Sequence, residues 1–300
     1  MIINTLFLGL IAALAWGVHD VFVRFISQRA AILPTLLTVL IAGGVLAAPV
    51  TLLAGDWAAM TGQAILAAIG AGLLFAFASY SLYQAFSIGP VRLVSPLIAS
   101  YPVLSISWAS ATGASTSAGE WSAVLLIIAG LAIVARGVDN TELDQAAQAP
   151  DANDARQQKR QRRRAIIWSL MAGFGFAATF FTGQTAAQMG AELPVILVTR
   201  LAAIATIAAA LLFTTGFHRP TTTSKRHWLL LCGMGGLDAV ALGSVTMSGT
   251  MPNPEYASVT SSVFGLITVV LAWMFLKEKM TPTQWGGVII VFGAIAYLGA

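Results

Sequence analysis

Ten apolar stretches follow one another along this chain of 300 residues, and each approaches the ~20 residues that a helix needs to cross the hydrocarbon core of a bilayer. They cover approximately 3–26, 33–53, 64–88, 91–112, 121–137, 165–188, 193–215, 227–248, 254–275 and 282–299. Apolar residues make up 57% of the chain and charged residues 9%, against about 25% charged in a soluble domain. So few charges cannot build a water-facing surface, which excludes a cytosolic enzyme, a nucleic-acid binder and a disordered chain. The 28 glycines suit helices that approach one another closely in lipid. The expected fold class is an all-α integral membrane protein with ten transmembrane helices.

Most connections are a few residues long, which makes consecutive helices antiparallel neighbours. Ile88-Gly89-Pro90-Val91 and Pro252-Asn253-Pro254 are tight breaks with a proline where a new helix can start. Residues 138–164 differ. Asp139, Glu142, Asp144, Asp151 and Asp154 come first, then Arg156, Lys159, Arg160, Arg162, Arg163 and Arg164. This reads as a polar cytoplasmic linker, a solvated loop joining a five-helix unit over 1–137 to a second over 165–300. Its basic end fixes orientation, and binding of anionic lipid or a partner is the alternative.

Apart from Arg200, every Lys and Arg lies in or beside an odd-numbered connection. The even connections carry Asp56, Glu120, Glu192 and Glu255. The positive-inside rule then puts the odd loops in the cytoplasm and the even loops and both termini outside, in a cell's inner (plasma) membrane. The first 23 residues hold no Lys or Arg, and a cleavable signal peptide is not expected.

The two units align at separations of 160 to 164 residues: Pro34 with Pro194, Gly72-Leu73 with Gly236-Leu237, Pro90 with Pro254, Trp121 with Trp285. Five helices per unit is an odd number, so a second copy enters the membrane from the opposite side. The expected architecture is a pair of inverted repeats, an arrangement that recurs in transporters.

Ala15-Trp16-Gly17 and the ending Phe275-Leu276-Lys277-Glu278-Lys279-Met280-Thr281-Pro282-Thr283-Gln284-Trp285-Gly286-Gly287, followed by Gly293, carry a resemblance to a known family. The chain resembles the drug/metabolite transporter superfamily, and its EamA family in particular, in which a Glu-containing turn precedes a Gln-x-x-Gly helix. The resemblance covers essentially the whole chain. It is stronger in the second unit, because 112–119 lacks the corresponding Lys/Glu turn. It implies metabolite export through a central cavity lined by helices 1, 3, 4, 6, 8 and 9. Length and aromatic content look most like the aromatic amino-acid exporters of the YddG type, a branch that no motif here singles out.

Ionisable groups inside the bilayer are the sharpest functional signal, since each costs roughly 2.5–3.5 kcal/mol at the centre of a helix. Asp20 has Arg24 one turn on, and an ion pair between them competes with a functional role. Asp238 has no basic neighbour in sequence and is the stronger candidate, a protonated structural Asp being the alternative. Arg200 either binds a solute carboxylate or, as is commoner, snorkels outward or pairs with Glu192 or Asp238. Trp16 lies on the same small-residue stripe of helix 1 as Gly9, Ala13, Gly17 and Asp20.

Tyr80, Tyr83 and Gln84 on helix 3, Tyr101 between Pro96 and Pro102 on helix 4, Gln184 on helix 6 and Ser244 on helix 8 complete the expected lining. For Trp57, Trp121, Trp168 and Trp228, packing or an interfacial belt is expected. His19, His218 and His227 are scattered and Cys232 stands alone, so no metal site, disulfide or cofactor is expected.

The sequence therefore points to a secondary transporter, not an enzyme, that exports small amphipathic metabolites, amino acids first and aromatic ones among them, by alternating access through a central cavity. An intramembrane lipid- or prenyl-modifying enzyme is the alternative class, and a nucleotide-sugar or drug carrier the alternative substrate. The expected partners are a small-molecule solute and the lipid bilayer, with no nucleic acid. A monomer is allowed and the oligomeric state is left open, the short fifth and tenth helices being natural contact surfaces for a second copy.

Overall fold

The computed structural model describes residues 2–104, 107, 117–146, 152–215, 225–278 and 280–298, with backbone alone at 2, 135–146, 152–155 and 215. Ser105, His218, Arg219, Lys279 and residues 112–116 and 147–151 of the stretches singled out above lie outside the described residues. The regular structure there is helical: α1 (Ile2–Ser27), α2 (Ile32–Ala54), α3 (Gly62–Ile88), α4 (Val91–Ile98), α5 (Ala118–Ala146), α6 (Ala152–Met189), α7 (Glu192–Thr215), α8 (Lys225–Met247), α9 (Glu255–Ser261), α10 (Phe264–Leu271) and α11 (Pro282–Leu298). Seven helical spans are long and apolar enough to cross a membrane. Val91–Leu104, Ala118–Val134 and Pro282–Leu298 are shorter apolar helices.

The ends of the helices follow from local chemistry. The Thr61 hydroxyl accepts from the Ala64 amide at 3.0 Å and caps α3. Ser117 and Glu120 form a reciprocal box at the start of α5, with Ser117 N to Glu120 Oε2 at 2.6 Å and Glu120 N to Ser117 Oγ at 3.2 Å. Thr281 and Gln284 repeat it at α11, at 2.9 and 3.2 Å. Lys277 takes the left-handed conformation (φ 55°) after a π turn over Ala272–Leu276 and turns the chain sharply out of its helix.

The ninth apolar stretch is broken into α9 and α10 at Ser262 and Val263, and the fourth is broken by turn residues just before Pro102. Residues 138–164, expected as a loop, are helical over 138–146 and 152–164. Arg, Gln, Lys and Ala dominate 152–164, with neither Gly nor Pro, and these are good helix formers that extend α6 ahead of its apolar part.

Packing joins the early helices to the late ones. α3 lies against α6 and α7, α8 against α1 and α2, α1 along α9 and α10, α4 against α6 and α10, α2 against α7, and α5 against α11. Large apolar side chains such as Leu53 (88% exposed) and Phe213 (91%) point outward, where lipid replaces water.

Two helix crossings depend on absent side chains. A Cβ on Gly235 would lie 2.6 Å from the Val39 carbonyl oxygen and 2.7 Å from the Gly43 nitrogen, so α8 and α2 touch backbone to backbone. A Cβ on Gly130 would lie 2.9 Å from the Gly287 carbonyl oxygen, and one on Gly287 2.9 Å from that of Gly130. The short fifth and tenth segments thus turn their glycine faces toward each other.

Gly233, two residues before Gly235 and on the opposite side of α8, faces open space. Gly235→Ala should lower stability by about 1–3 kcal/mol through overpacking, despite the better helix propensity of Ala. Gly233→Ala should leave it equal or raise it by up to about 1 kcal/mol. Thermal melting of the purified protein in detergent reads both.

Candidate functional site

The centre of the molecule is organised around the Asp238 carboxylate on α8. It accepts a hydrogen bond from the Trp16 indole of α1 at 3.1 Å, and its other oxygen is paired with the Arg200 guanidinium of α7. Arg200 is 0% exposed and Asp238 5%. The guanidinium carbon lies 5.4 Å from the centre of the Phe75 ring on α3, within cation–π range. Gly44 on α2 lets the Arg200 stem pass, since a Cβ there would meet its Cγ at 3.3 Å. Of the readings open for Arg200, pairing with Asp238 is the one found. Glu192 instead accepts from the Thr250 hydroxyl.

Aromatic rings enclose the Trp16 side of this pair. Trp16 stacks on Phe180 (centroids 5.4 Å apart, 27° between planes) and meets Phe176 at 6.0 Å and Phe264 edge-on at 6.3 Å. Tyr101 stands edge-on to Phe180 at 5.3 Å. Phe176 and Phe180 are one turn apart on α6 and present a continuous wall. A small cavity remains, lined by Trp16, His19, Asp20, Leu82, Tyr101, Phe176, Phe180, Asp238 and Phe264. These come from the first, third, fourth, sixth, eighth and ninth apolar segments. The free volume is about 10 Å³, room for about one water.

Asp20 does not pair with Arg24. Its Oδ1 lies 2.9 Å from His19 Nδ1, and its Oδ2 has no hydrogen-bond partner among the described residues. Arg24 points away, donating to the Phe86 carbonyl at 2.6 Å and lying 3.6 Å from Glu278. The Glu278 carboxylate also accepts from the Val91 and Arg92 amides, at 3.1 and 3.3 Å. It therefore caps the N-terminus of α4, where a negative charge is favoured. The family-like turn is thus a fastener between α1, the end of α3, α4 and the stretch after α10.

Tyr101 sits at the break in the fourth segment and reaches the break in the ninth. The Ser262 amide turns back to Val259 (3.1 Å) and leaves the Ser258 carbonyl, which accepts instead from the Tyr101 hydroxyl (2.9 Å) and Ser261 Oγ (2.8 Å). A backbone carbonyl freed at membrane depth needs such a donor.

The remaining expected residues do not share this cavity. Tyr80 accepts from Gln84 at 2.7 Å and meets Trp168 edge-on at 5.7 Å, a cluster toward the end of α3. Tyr83 is buried 6.4 Å from the His19 ring, its hydroxyl without a partner among the described residues. Gln184 fastens α6 to the α8–α9 connection, its amide within reach of Pro254 O (2.9 Å), Ser248 Oγ (3.1 Å) and Ser258 Oγ (3.1 Å). Ser244 bonds back to Val240 within its own helix at 2.8 Å. Sequence reasoning passed over His19, Phe176, Phe180, Phe264 and Glu278. The adjacency of His19 to Asp20 was a readable signal, whereas the inward facing of the three phenylalanines and the partners of Glu278 depend on tertiary contacts.

The fold is similar to a solved structure, described only as a crystal structure of a protein, with a TM-score of 0.67 and 14% identity over 98% of this chain and 96% of that one. No curated protein matches the chain. The EamA-like transporter family matches residues 3–136 and again 163–300, nearly the full length in two stretches. The chain belongs to the EamA-like transporter family.

Proposed function

We propose that this member of the family is a secondary transporter that exports small amphipathic metabolites by alternating access, with amino acids, aromatic ones foremost, as its substrates. The observation that carries the reading is the cavity itself, where the rings of Trp16, Phe176, Phe180 and Phe264 share one wall system with the carboxylates of Asp20 and Asp238. Such a site offers stacking to an apolar or aromatic side chain and negative charge to an ammonium. Length and aromatic content of the sequence resemble the YddG-type branch, and an aromatic cavity wall suits solutes of that kind.

The halves 1–137 and 165–300, joined by the polar cytoplasmic stretch 138–164, are read as inverted five-helix repeats. The same capping box opens α5 and α11, with Ser117 and Glu120 each 164 residues before Thr281 and Gln284. Gly130 and Gly287 approach each other reciprocally, as residues related by a two-fold axis would. Helix partners exchange in the same sense: α3 packs on α6 as α8 packs on α1, and α3 on α7 as α8 on α2. Two units of like structure and opposite direction can trade conformations at little cost, which is what alternating access requires.

Fasteners at the two ends fit a closed intermediate. Arg24, Glu278 and the start of α4 hold the side of the odd loops, which the positive-inside rule makes cytoplasmic. Gln184 holds the side of the even loops. A cavity with room for one water admits no metabolite, so each side opens in turn to load and unload it.

Two measurements test this. In a Cys232→Ser background, an impermeant maleimide should label Ala59→Cys in intact cells and Arg29→Cys only after permeabilisation; the reverse pattern contradicts the orientation. In proteoliposomes, labelled phenylalanine should show counterflow. Asp238→Asn and Tyr101→Ala should slow it about 10-fold or more, the scale of one charge-assisted hydrogen bond. Normal rates in both variants contradict the site, and counterflow of a nucleotide sugar without any amino acid contradicts the substrate class.

A further inference from the structure

The buried centre does not balance its charges. Asp238 and Arg200 neutralise one another, and both Asp238 oxygens are engaged. Asp20 is a second carboxylate, 1% exposed, and its neighbour His19 is 4% exposed. Asp20 Oδ2 and His19 Nε2 have no hydrogen-bond partner among the described residues, and both side chains line the cavity. With a neutral imidazole, Asp20 leaves this site one negative charge in excess. An ionised carboxylate with an open oxygen is costly away from water. One positive charge, brought by a proton or by a cationic solute, neutralises the pair and satisfies the open carboxylate oxygen.

The surrounding groups do not supply it. On α3 the nearest titratable group is Tyr83, on the turn after α4 it is Tyr101, and on α8 it is Asp238 with Arg200 of α7 behind it. The α6 and α10 side chains at the cavity are Phe176, Phe180 and Phe264. Glu255 and Tyr256 open α9 close to Thr5 and Gly9, about three turns along α1 from the pair. Arg24, one turn away on α1, is committed to Glu278 and the Phe86 carbonyl.

We propose that the His19–Asp20 pair is a cation site at which a proton and the ammonium of the solute displace one another, making the protein a proton/solute exchanger. This rests on the transport reading above and adds its energy source. With the site open to one side, a water-borne proton adds to the carboxylate or the imidazole and the solute ammonium leaves. With the site open to the other side, the proton passes to water as the ammonium enters. Each transfer breaks and forms one bond to hydrogen, and the site carries one positive charge in either direction. An inward proton gradient then drives solute out.

Two arms separate this proposal from the reading it rests on. Infrared difference spectra of the protein in lipid, without solute, between about pH 8 and pH 5 read protonated carboxyl and imidazolium bands. The wild-type spectrum should contain a band that is lost in Asp20→Asn and in His19→Gln and kept in Asp238→Asn. Subtracting the variants' spectra separates the pair from His218 and His227. No such band in the wild type, or its survival in both Asp20→Asn and His19→Gln, overturns the proposal. In the second arm, phenylalanine added to the wild type at low buffering should release protons one for one with binding, and release none from Asp20→Asn at any occupancy. Binding without proton release in the wild type overturns the exchange. Absence of phenylalanine binding and counterflow counts against the substrate class alone, and the infrared arm still decides the pair.

Discussion

The arrangement turns on a carboxylate that cannot remain charged in the membrane interior by itself. Asp238 survives there because Arg200 neutralises it and the Trp16 indole occupies its other oxygen. Removing one partner of such a pair costs about 3–5 kcal/mol, since an uncompensated buried charge is left behind. That requirement brings α1, α7 and α8 to one point. The other helices then have to close around it, and small residues let them do so. Gly44 gives the Arg200 stem its passage on α2, and Phe75 of α3 covers the guanidinium face.

A second constraint comes from the backbone. The fourth and ninth segments are both interrupted, and each interruption frees polar groups that lipid cannot satisfy. The two breaks meet, and the Tyr101 hydroxyl supplies the Ser258 carbonyl with the donor it lost. Irregular backbone therefore occurs beside the cavity, where partners are at hand. The Glu278 carboxylate plays a comparable part at the start of α4, taking up two amides that a helix leaves open. Substituting Glu there removes a charge partner of Arg24 as well as a cap.

Much of this was legible in the sequence, and the reasons differ by residue. Apolar run length located seven helical spans long enough to cross a membrane, and three shorter apolar helices beside them. The cost of burying charge singled out Asp20, Arg200 and Asp238, all of which lie at the centre. Proximity in sequence failed where two partners competed. Arg24 stands one turn from Asp20, yet the Phe86 carbonyl and Glu278 bind it, and Asp20 turns to His19. Gln184 and Ser244 looked like lining because they are polar in an apolar run, but their hydrogen bonds satisfy the backbone. The aromatic wall was hidden for the opposite reason: Phe176, Phe180 and Phe264 are ordinary in a lipid-facing helix, and only packing tells which phenylalanines face inward. The helical course of 152–164 was misjudged from its charge, although its composition favours a helix.

The central claim, that a buried Arg200–Asp238 pair organises the centre of the bundle, is tested most directly by a double-mutant cycle on stability. Arg200→Met and Asp238→Leu alone should each destabilise the protein by about 3–5 kcal/mol, while the double variant should recover most of that loss because no charge is left unpaired. Thermal melting in detergent reads the cycle. Additive losses in the double variant would contradict the account, since the two side chains would then act independently.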